Sequence, residues 1–407
     1  MTTKFGRRAF LAGVAASALP MPAIAQAAPV RIGLLTIKTG SLAEGGIQME
    51  QGITTFLKEK NNTLAGRKTE LVVADTGGSP AGAKTKAQEL IERDKVDVIL
   101  GPLAAFELLA ISDYVAQQKT PMLSLAAAED MTQRKPNPYF LRASATSAQA
   151  MQPLADYAAK EMKAKTAVLI AEDFAFGYEQ MGGFQRVFED AGGKVLKKIW
   201  VPLGTADNTP FIAQIGQCDV VCQGYSGSAP VKFMKQYADL GNKTPVIGGE
   251  TAGDDALMKS FGDEAIGMIN ACPYTLDLAN DANKRFVADF TKDYGNVPGF
   301  YAAGLYVNGL VVEAGLQKVN GNTSDKEAFV KALRAVSLTD TPRGPIKFDD
   351  HGNVIGNIYI RRIEKQNGKL ANKTIKTYEN VSQFWTYDEK TFLAQPVYSR
   401  DYPPLKS

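Results

Sequence analysis

Residues 98–134 read VILGPLAAFELLAISDYVAQQKTPMLSLAAAEDMTQR. A short apolar run stops at Gly101-Pro102, a helical apolar stretch follows, and a second apolar run (121–125) ends in three alanines. The order is strand, turn, helix, strand. Both strands are brief and apolar without strict alternation, as parallel strands buried on both faces are. In an open α/β sheet, ligands gather at the carboxyl ends of the strands. That places Leu103, Ala104 and Ala105 after one strand, and Ala126, Ala127 and Ala128 after the next, where a pocket is expected.

The same rhythm extends in both directions. Upstream, 30–36 (VRIGLLT) and 69–75 read as strands and 47–60 and 81–94 as helices. Ser79 is the expected N-cap of the second helix, with Pro80 in its first turn. Pro136-Asn137-Pro138 breaks the pattern, which then resumes. Helices at 149–163, 178–191, 210–217 and 229–240 alternate with strands at 166–172, 194–201, 219–222 and 245–248. Repeated β-α units predict parallel sheets with helices on both faces, here as two α/β lobes in series. An extended run (267–275), three helices (282–294, 301–318, 325–336) and two late strands (344–349, 358–363) follow, and 385–407 is a Pro- and Tyr-containing tail.

The first 27 residues read as an export signal. Arg7-Arg8 precedes Phe10-Leu11 and a short apolar segment, and small-x-small sites for cleavage follow at 23–27. The paired arginines resemble a twin-arginine signal, with a general secretory signal as the alternative. No cysteine follows the cleavage region, so no lipid anchor is expected. The chain holds 46 Lys+Arg and 43 Asp+Glu; without Lys4, Arg7 and Arg8 each class counts 43. A balanced mature chain argues against a nucleic-acid partner. Its length of about 380 residues suggests roughly two domains. Cys218 and Cys222 lie four strand steps apart, ~13 Å, beyond disulfide reach, and all three cysteines, Cys272 included, are expected to be buried and inert.

Traces of catalysis are missing. His351 is the only histidine, in the turn-like run Asp349-Asp350-His351-Gly352-Asn353. GYSGS (224–228) departs from the G-x-S-x-G elbow at its last position. Walker, dinucleotide and His/Cys metal spacings do not occur. Neither catalytic residues, metal nor cofactor are expected, and an exported two-lobed α/β chain of this kind points to a binding protein.

Specific runs carry a family likeness: IGLLTIKTGSLAEGG (32–46), LAGRKTELVVAD (64–75), DVILGP (97–102), LSLAAAEDMTQR (123–134), EDFAFG (172–177), PVIGGE (245–250) and GPIKFDDHGNV (344–354). In this order and spacing the chain resembles the periplasmic solute-binding proteins of ABC transporters, of the branched-chain amino acid (leucine/isoleucine/valine-binding) type. The resemblance implies the type I fold: two Rossmann-like lobes joined by a three-segment hinge and closing on a small-molecule ligand. It implies an N-terminal lobe of 28–144 and 275–348, and a C-terminal lobe of 145–274 and 349–384. It also implies a periplasmic monomer that delivers its ligand to membrane permease subunits. A ligand sensor of the same fold is the alternative.

The resemblance also implies site residues. Where the family holds an amino-acid carboxylate with a Ser and a Thr hydroxyl, this chain has Ala105 and Ala128, leaving backbone N–H groups at Ala105 and 126–128 as anion donors. The family's ammonium-binding acid aligns with Glu250. Phe106, Phe176, Tyr225 and Tyr301 are further pocket candidates, although core packing competes for each aromatic. Two lost hydroxyls and several rings favour a small aromatic carboxylate. Glu250 keeps an aliphatic or branched-chain amino acid as the alternative.

Overall fold

A computed structural model of the chain describes residues 1–2 and 28–406. The export motif at Arg7-Arg8 and the cleavage sites expected at 23–27 lie outside the described residues.

β1 (Val30–Thr36) is buried along six of its seven residues, as a strand covered on both faces must be. There follow α1 (Ala43–Glu59), β2 (Thr63–Leu64), β3 (Arg67–Asp75), α2 (Pro80–Gln88), β4 (Val98–Leu100), α3 (Ala105–Gln117), β5 (Met122–Leu123) and β6 (Phe140–Leu141). They make one sheet in the order β2-β3-β1-β4-β5-β6. β1 lies parallel to β3 (Val30↔Thr69) and to β4 (Ile32↔Val98), and the short β2 alone is antiparallel. Ser79 caps α2 by accepting the Gly82 N–H at 3.0 Å.

The second lobe opens with α4 (Ser147–Lys160), β7 (Thr166–Glu172), α5 (Ala175–Asp190) and β8 (Lys194–Val201). It continues through α6 (Thr209–Ile212), β9 (Val220–Gly224), α7 (Ala229–Asp239), β10 (Val246–Gly248) and β11 (Ile269–Cys272). The chain then returns to the first lobe as α8 (Asp281–Tyr294), α9 (Phe300–Lys318) and α10 (Lys326–Arg334). α9 packs on α1 so closely that a Cβ on Gly52 would stand 2.1 Å from the Ala302 carbonyl oxygen. Met49, Ile53 and Phe56 of α1 share one core with Leu305 and Val312 of α9.

β12 (Ser337–Leu338), β13 (Ile346–Phe348), β14 (Val354–Gln366), β15 (Lys369–Val381) and α11 (Glu389–Leu393) complete the chain. The second sheet runs β12-β13-β14-β11-β10-β9-β7-β8, with β15 paired to β14. The stretch expected to close the first lobe at 348 is β13, which stands between the two lobes. β13 bonds through its backbone to β14, Ile346↔Gly356, while its Ile346 side chain belongs to the first lobe's core. The strand serves both lobes because backbone and side chain point different ways.

Buried arginines hold the crossovers between the lobes. Arg142 donates to the carbonyls of Ala126 (3.2 Å) and Ala128 (2.9 Å), to Thr132 Oγ1 (2.6 Å) and to Asn353 Oδ1 (3.1 Å). Arg343 donates to the carbonyls of Ala143 (2.7 Å) and Ser144. Arg361 pairs with Asp255 at 2.8 Å and donates to the Tyr274 carbonyl at 2.9 Å.

The tail packs down. Arg186 lies 4.0 Å from the Tyr387 ring centroid and 4.7 Å from that of Phe392, and Tyr398 covers Gly182 of α5. His351 meets Glu389 of α11 at 2.8 Å. The three cysteines are free, and Cys218 is half-buried where burial was expected: it precedes β9, outside the covered part of the sheet. Among the described residues no helix is long and apolar enough to cross a membrane, and no cluster suits a metal ion.

Candidate functional site

A cavity of about 30 Å³ lies between the carboxyl ends of the two sheets, where an open α/β sheet gathers its ligands. The first lobe supplies Leu42 after β1, Leu103, Ala104 and Ala105 after β4, Leu125 and Ala127 after β5, and Phe300 and Tyr301 at the start of α9. The second lobe supplies Ser147, Phe174, Phe176, Ser226, Glu250 and Thr251, each just past β7, β9 or β10 or opening α4 or α5.

Among the described residues no Lys, Arg or His lines this cavity. Helix starts face it instead, although the Phe300 N–H of α9 is already taken by Asp254 at 3.2 Å. Ala105, Ser147 and Phe300 are the first residues of α3, α4 and α9, and Phe176 sits in the first turn of α5. First-turn N–H groups lack helical partners and carry the positive end of the helix dipole, so they favour an anion. The amides of Ala105 and Ala127 have no hydrogen-bond partner among the described residues.

The expected pair of alanine runs is thereby sorted. Ala126 donates its N–H to Ser124 Oγ at 2.9 Å. Ala128, at φ +86°, donates to Glu179 at 3.0 Å. Both are therefore unavailable to a ligand in the cavity, and both side chains pack into a core beside α3. Ala127 points between them into the cavity. Leu103, Ala104, Ala105, Phe176, Glu250 and Tyr301 line it, and Phe106, Ala126, Ala128 and Tyr225 do not. Tyr225 turns into the second lobe, stacked 4.9 Å from Phe233, with its hydroxyl 3.1 Å from Asn208 Oδ1. Phe106 stands outside the cavity, its ring 6.0 Å from that of Phe174 across the cleft.

Seven lining residues escaped the sequence reading: Leu42, Leu125, Ser147, Phe174, Ser226, Phe300 and Thr251. Most sit beside residues it named, so the strand-end rule reaches them once neighbours are counted. Phe174 and Phe176 stack at 5.8 Å and give the second lobe an aromatic wall. Ser147 had no local signal beyond the start of its helix.

The acids on that wall are unusual in lacking cations. Burial pushes Glu250 up to about 8, and its one side-chain partner is Gln180, whose Nε2 donates at 3.3 Å. Burial pushes Glu172 up to about 7, although it accepts from the Ser226 N–H at 3.1 Å and from the Ser226 hydroxyl. Thr251 Oγ1 donates to the Tyr225 carbonyl at 2.7 Å. Near neutral pH Glu250 is therefore mostly a neutral acid that can both donate and accept.

A two-lobed cleft at the sheet ends is the architecture of a solute receptor, and the comparisons agree. The periplasmic binding protein family model matches residues 29–369, so the chain belongs to that family, as a type I solute-binding protein of the branched-chain amino acid type. Members of this family are periplasmic and bind small molecules for ABC transporters. A Leu/Ile/Val-binding protein homolog 6 of Brucella melitensis is 29% identical over 363 residues, 86% of this chain and 92% of its own. A solute-binding protein of Rhodopseudomonas palustris BisB5, solved with 3,4-dihydroxybenzoic acid, is 33% identical with a TM-score of 0.83, covering 87% of this chain and 98% of its own. Another from R. palustris, solved with 4-hydroxybenzoate, is 27% identical with a TM-score of 0.82, covering 88% and 98%.

Proposed function

We propose that this chain is the extracytoplasmic receptor of an ABC importer for a small aromatic carboxylate, best a hydroxybenzoate. The observation that carries the reading is the cavity's makeup: helix N-termini with free N–H groups, aromatic and aliphatic walls, and an acid that burial in the shut cleft keeps neutral. The ligand's carboxylate takes the Ala105 and Ala127 N–H groups and the start of α4. Its ring lies against Phe174, Phe176, Leu103 and Leu125. A ring hydroxyl reaches Glu250. The hydroxybenzoates in the two R. palustris relatives support this assignment.

Glu250 favours a second reading, a branched-chain amino acid, whose ammonium would pair with it. The two readings differ in proton balance. An ammonium needs Glu250 ionised, as it is in an open cleft, so amino-acid binding would move no proton. A hydroxybenzoate meets Glu250 as the neutral acid that burial makes of it in the shut cleft, so its binding would take up a proton. Titration calorimetry of the mature protein in buffers of different ionisation enthalpy separates them, with 4-hydroxybenzoate, benzoate, leucine and valine as ligands. We expect 4-hydroxybenzoate to bind with proton uptake; binding of leucine alone, without proton uptake, overturns the assignment.

The receptor acts as a monomer without a lipid anchor, closes its lobes on one ligand and passes it to permease subunits. It performs no chemistry on that ligand. Export uses a twin-arginine or general secretory signal. Loss of aromatic-acid uptake on deletion checks the transport role; intact uptake with a lost response to the ligand would assign it to a sensor.

A further inference from the structure

The lobes meet through buried carboxyls. On one side of the cleft Asp254, which follows β10 in the second lobe, accepts the N–H of Phe300 at 3.2 Å, at the first turn of α9 in the first lobe. On the other side Glu179 of α5 accepts the N–H of Ala128 at 3.0 Å and of Glu129 at 3.0 Å from the first lobe. Glu129 returns the contact by accepting the N–H of Ala148 in α4 at 2.8 Å. These three acids are 2 to 3% exposed. The cations around them make their bonds elsewhere: Arg142 to carbonyls and amides of the hinge, Arg361 to Asp255, Arg134 to Asp130 and the tail.

We infer that Asp254, Glu179 and Glu129 make closure of the clamp acid-promoted, because shutting the cleft moves each carboxyl from water onto backbone N–H groups of the opposite lobe. The inference rests on the chain being a two-lobed clamp and is independent of which ligand it holds.

Burial pushes Asp254 up to about 7. Burial, and then the neighbouring Glu129 carboxyl, pushes Glu179 well above the usual carboxylate range, and burial raises Glu129 too. Arg142 faces the glutamate pair and opposes the rise, as Arg134 does for Glu129. Glu250 and Tyr398 also face Glu129, and Asp113, Asp130 and Lys135 stand at the outer rim of that side. Asp254 faces Asp255, which adds to its rise, Arg361, which opposes it, and Tyr301. In an open cleft the acids return to water and to ordinary values of about 4. A group raised in the closed form binds its proton there. The closed form is therefore favoured below about 7 and loses that advantage as pH rises through it. A protonated carboxyl keeps a carbonyl oxygen that accepts an N–H, so the contacts survive protonation.

Small-angle scattering of the mature, ligand-free protein at pH 9 and pH 6 tests this. The radius of gyration should be smaller at pH 6. In the double variant D254N/E179Q, whose amides keep the acceptor and lose the charge, it should be small at both. Asp254→Ala with Glu179→Ala, lacking acceptors, should be expanded at both. Far-UV circular dichroism checks folding, and the single variants D254N and E179Q, each expected to show about half the wild-type shift, serve where the double variant does not fold. An equal wild-type radius at the two pH values, or an undiminished shift in the amide variants, overturns the inference.

Discussion

Glu250 decides most of the site's chemistry at the scale of one residue. Its carboxyl faces the ligand cavity with Gln180 as its only side-chain partner. If its role is to meet a ring hydroxyl, Glu250→Ala should weaken 4-hydroxybenzoate by about tenfold, about 1.4 kcal/mol, and leave benzoate within about twofold. Calorimetry of the two ligands side by side reads the difference. Ala128 is a second residue with a measurable consequence. It sits at φ +86°, where a Cβ is strained. Ala128→Gly should therefore stabilise the fold by about 1 kcal/mol in chemical denaturation, within the usual cost of a left-handed L-residue. The sequence points to all three alanines after β5 and does not say which one faces the ligand. The deciding partners are Ser124 next door and Glu179, 51 residues away. Only the first of these is local enough for pattern reading. Tyr225 fails similarly: an aromatic at a strand end suits a pocket or a core, and Phe233 and Asn208 draw it into the core.

At the scale of elements, most strands and helices were legible because buried parallel strands and amphipathic helices leave periodic marks. β15 was not. Its thirteen residues, KLANKTIKTYENV, include only two that are buried, so it lacks an apolar pattern. A local signal was present all the same: Asn367-Gly368, at φ +50° and +80°, joins Gln366 to Lys369 in the two-residue turn that favours this dipeptide. The hinge arginines were also illegible, since their partners are backbone carbonyls and polar side chains outside their own elements, as far off as Asn353 for Arg142 and Asp255 for Arg361. Arg361→Met removes one member of a buried ion pair and leaves Asp255 uncompensated. It should cost about 3–5 kcal/mol in urea unfolding. Gly52→Ala forces a Cβ onto the Ala302 carbonyl and should cost about 1–3 kcal/mol through overpacking of α1 on α9.

The whole molecule joins these scales through the hinge. Two sheets bring their carboxyl ends together, and three crossovers join one wall to the other. β13 ties them by pairing with one sheet and packing into the other lobe's core. The interleaving of α8 to α10 into the first lobe came from the family resemblance, because serial β-α units by themselves give two consecutive lobes. A ligand seated between the lobes should shift the equilibrium toward the closed form by its differential contacts with the two walls. Competition calorimetry of the mature protein tests the class of that ligand most directly. 4-Hydroxybenzoate should fill one site per chain, undisturbed by excess leucine. A single site filled by leucine, from which 4-hydroxybenzoate is excluded, would contradict that assignment.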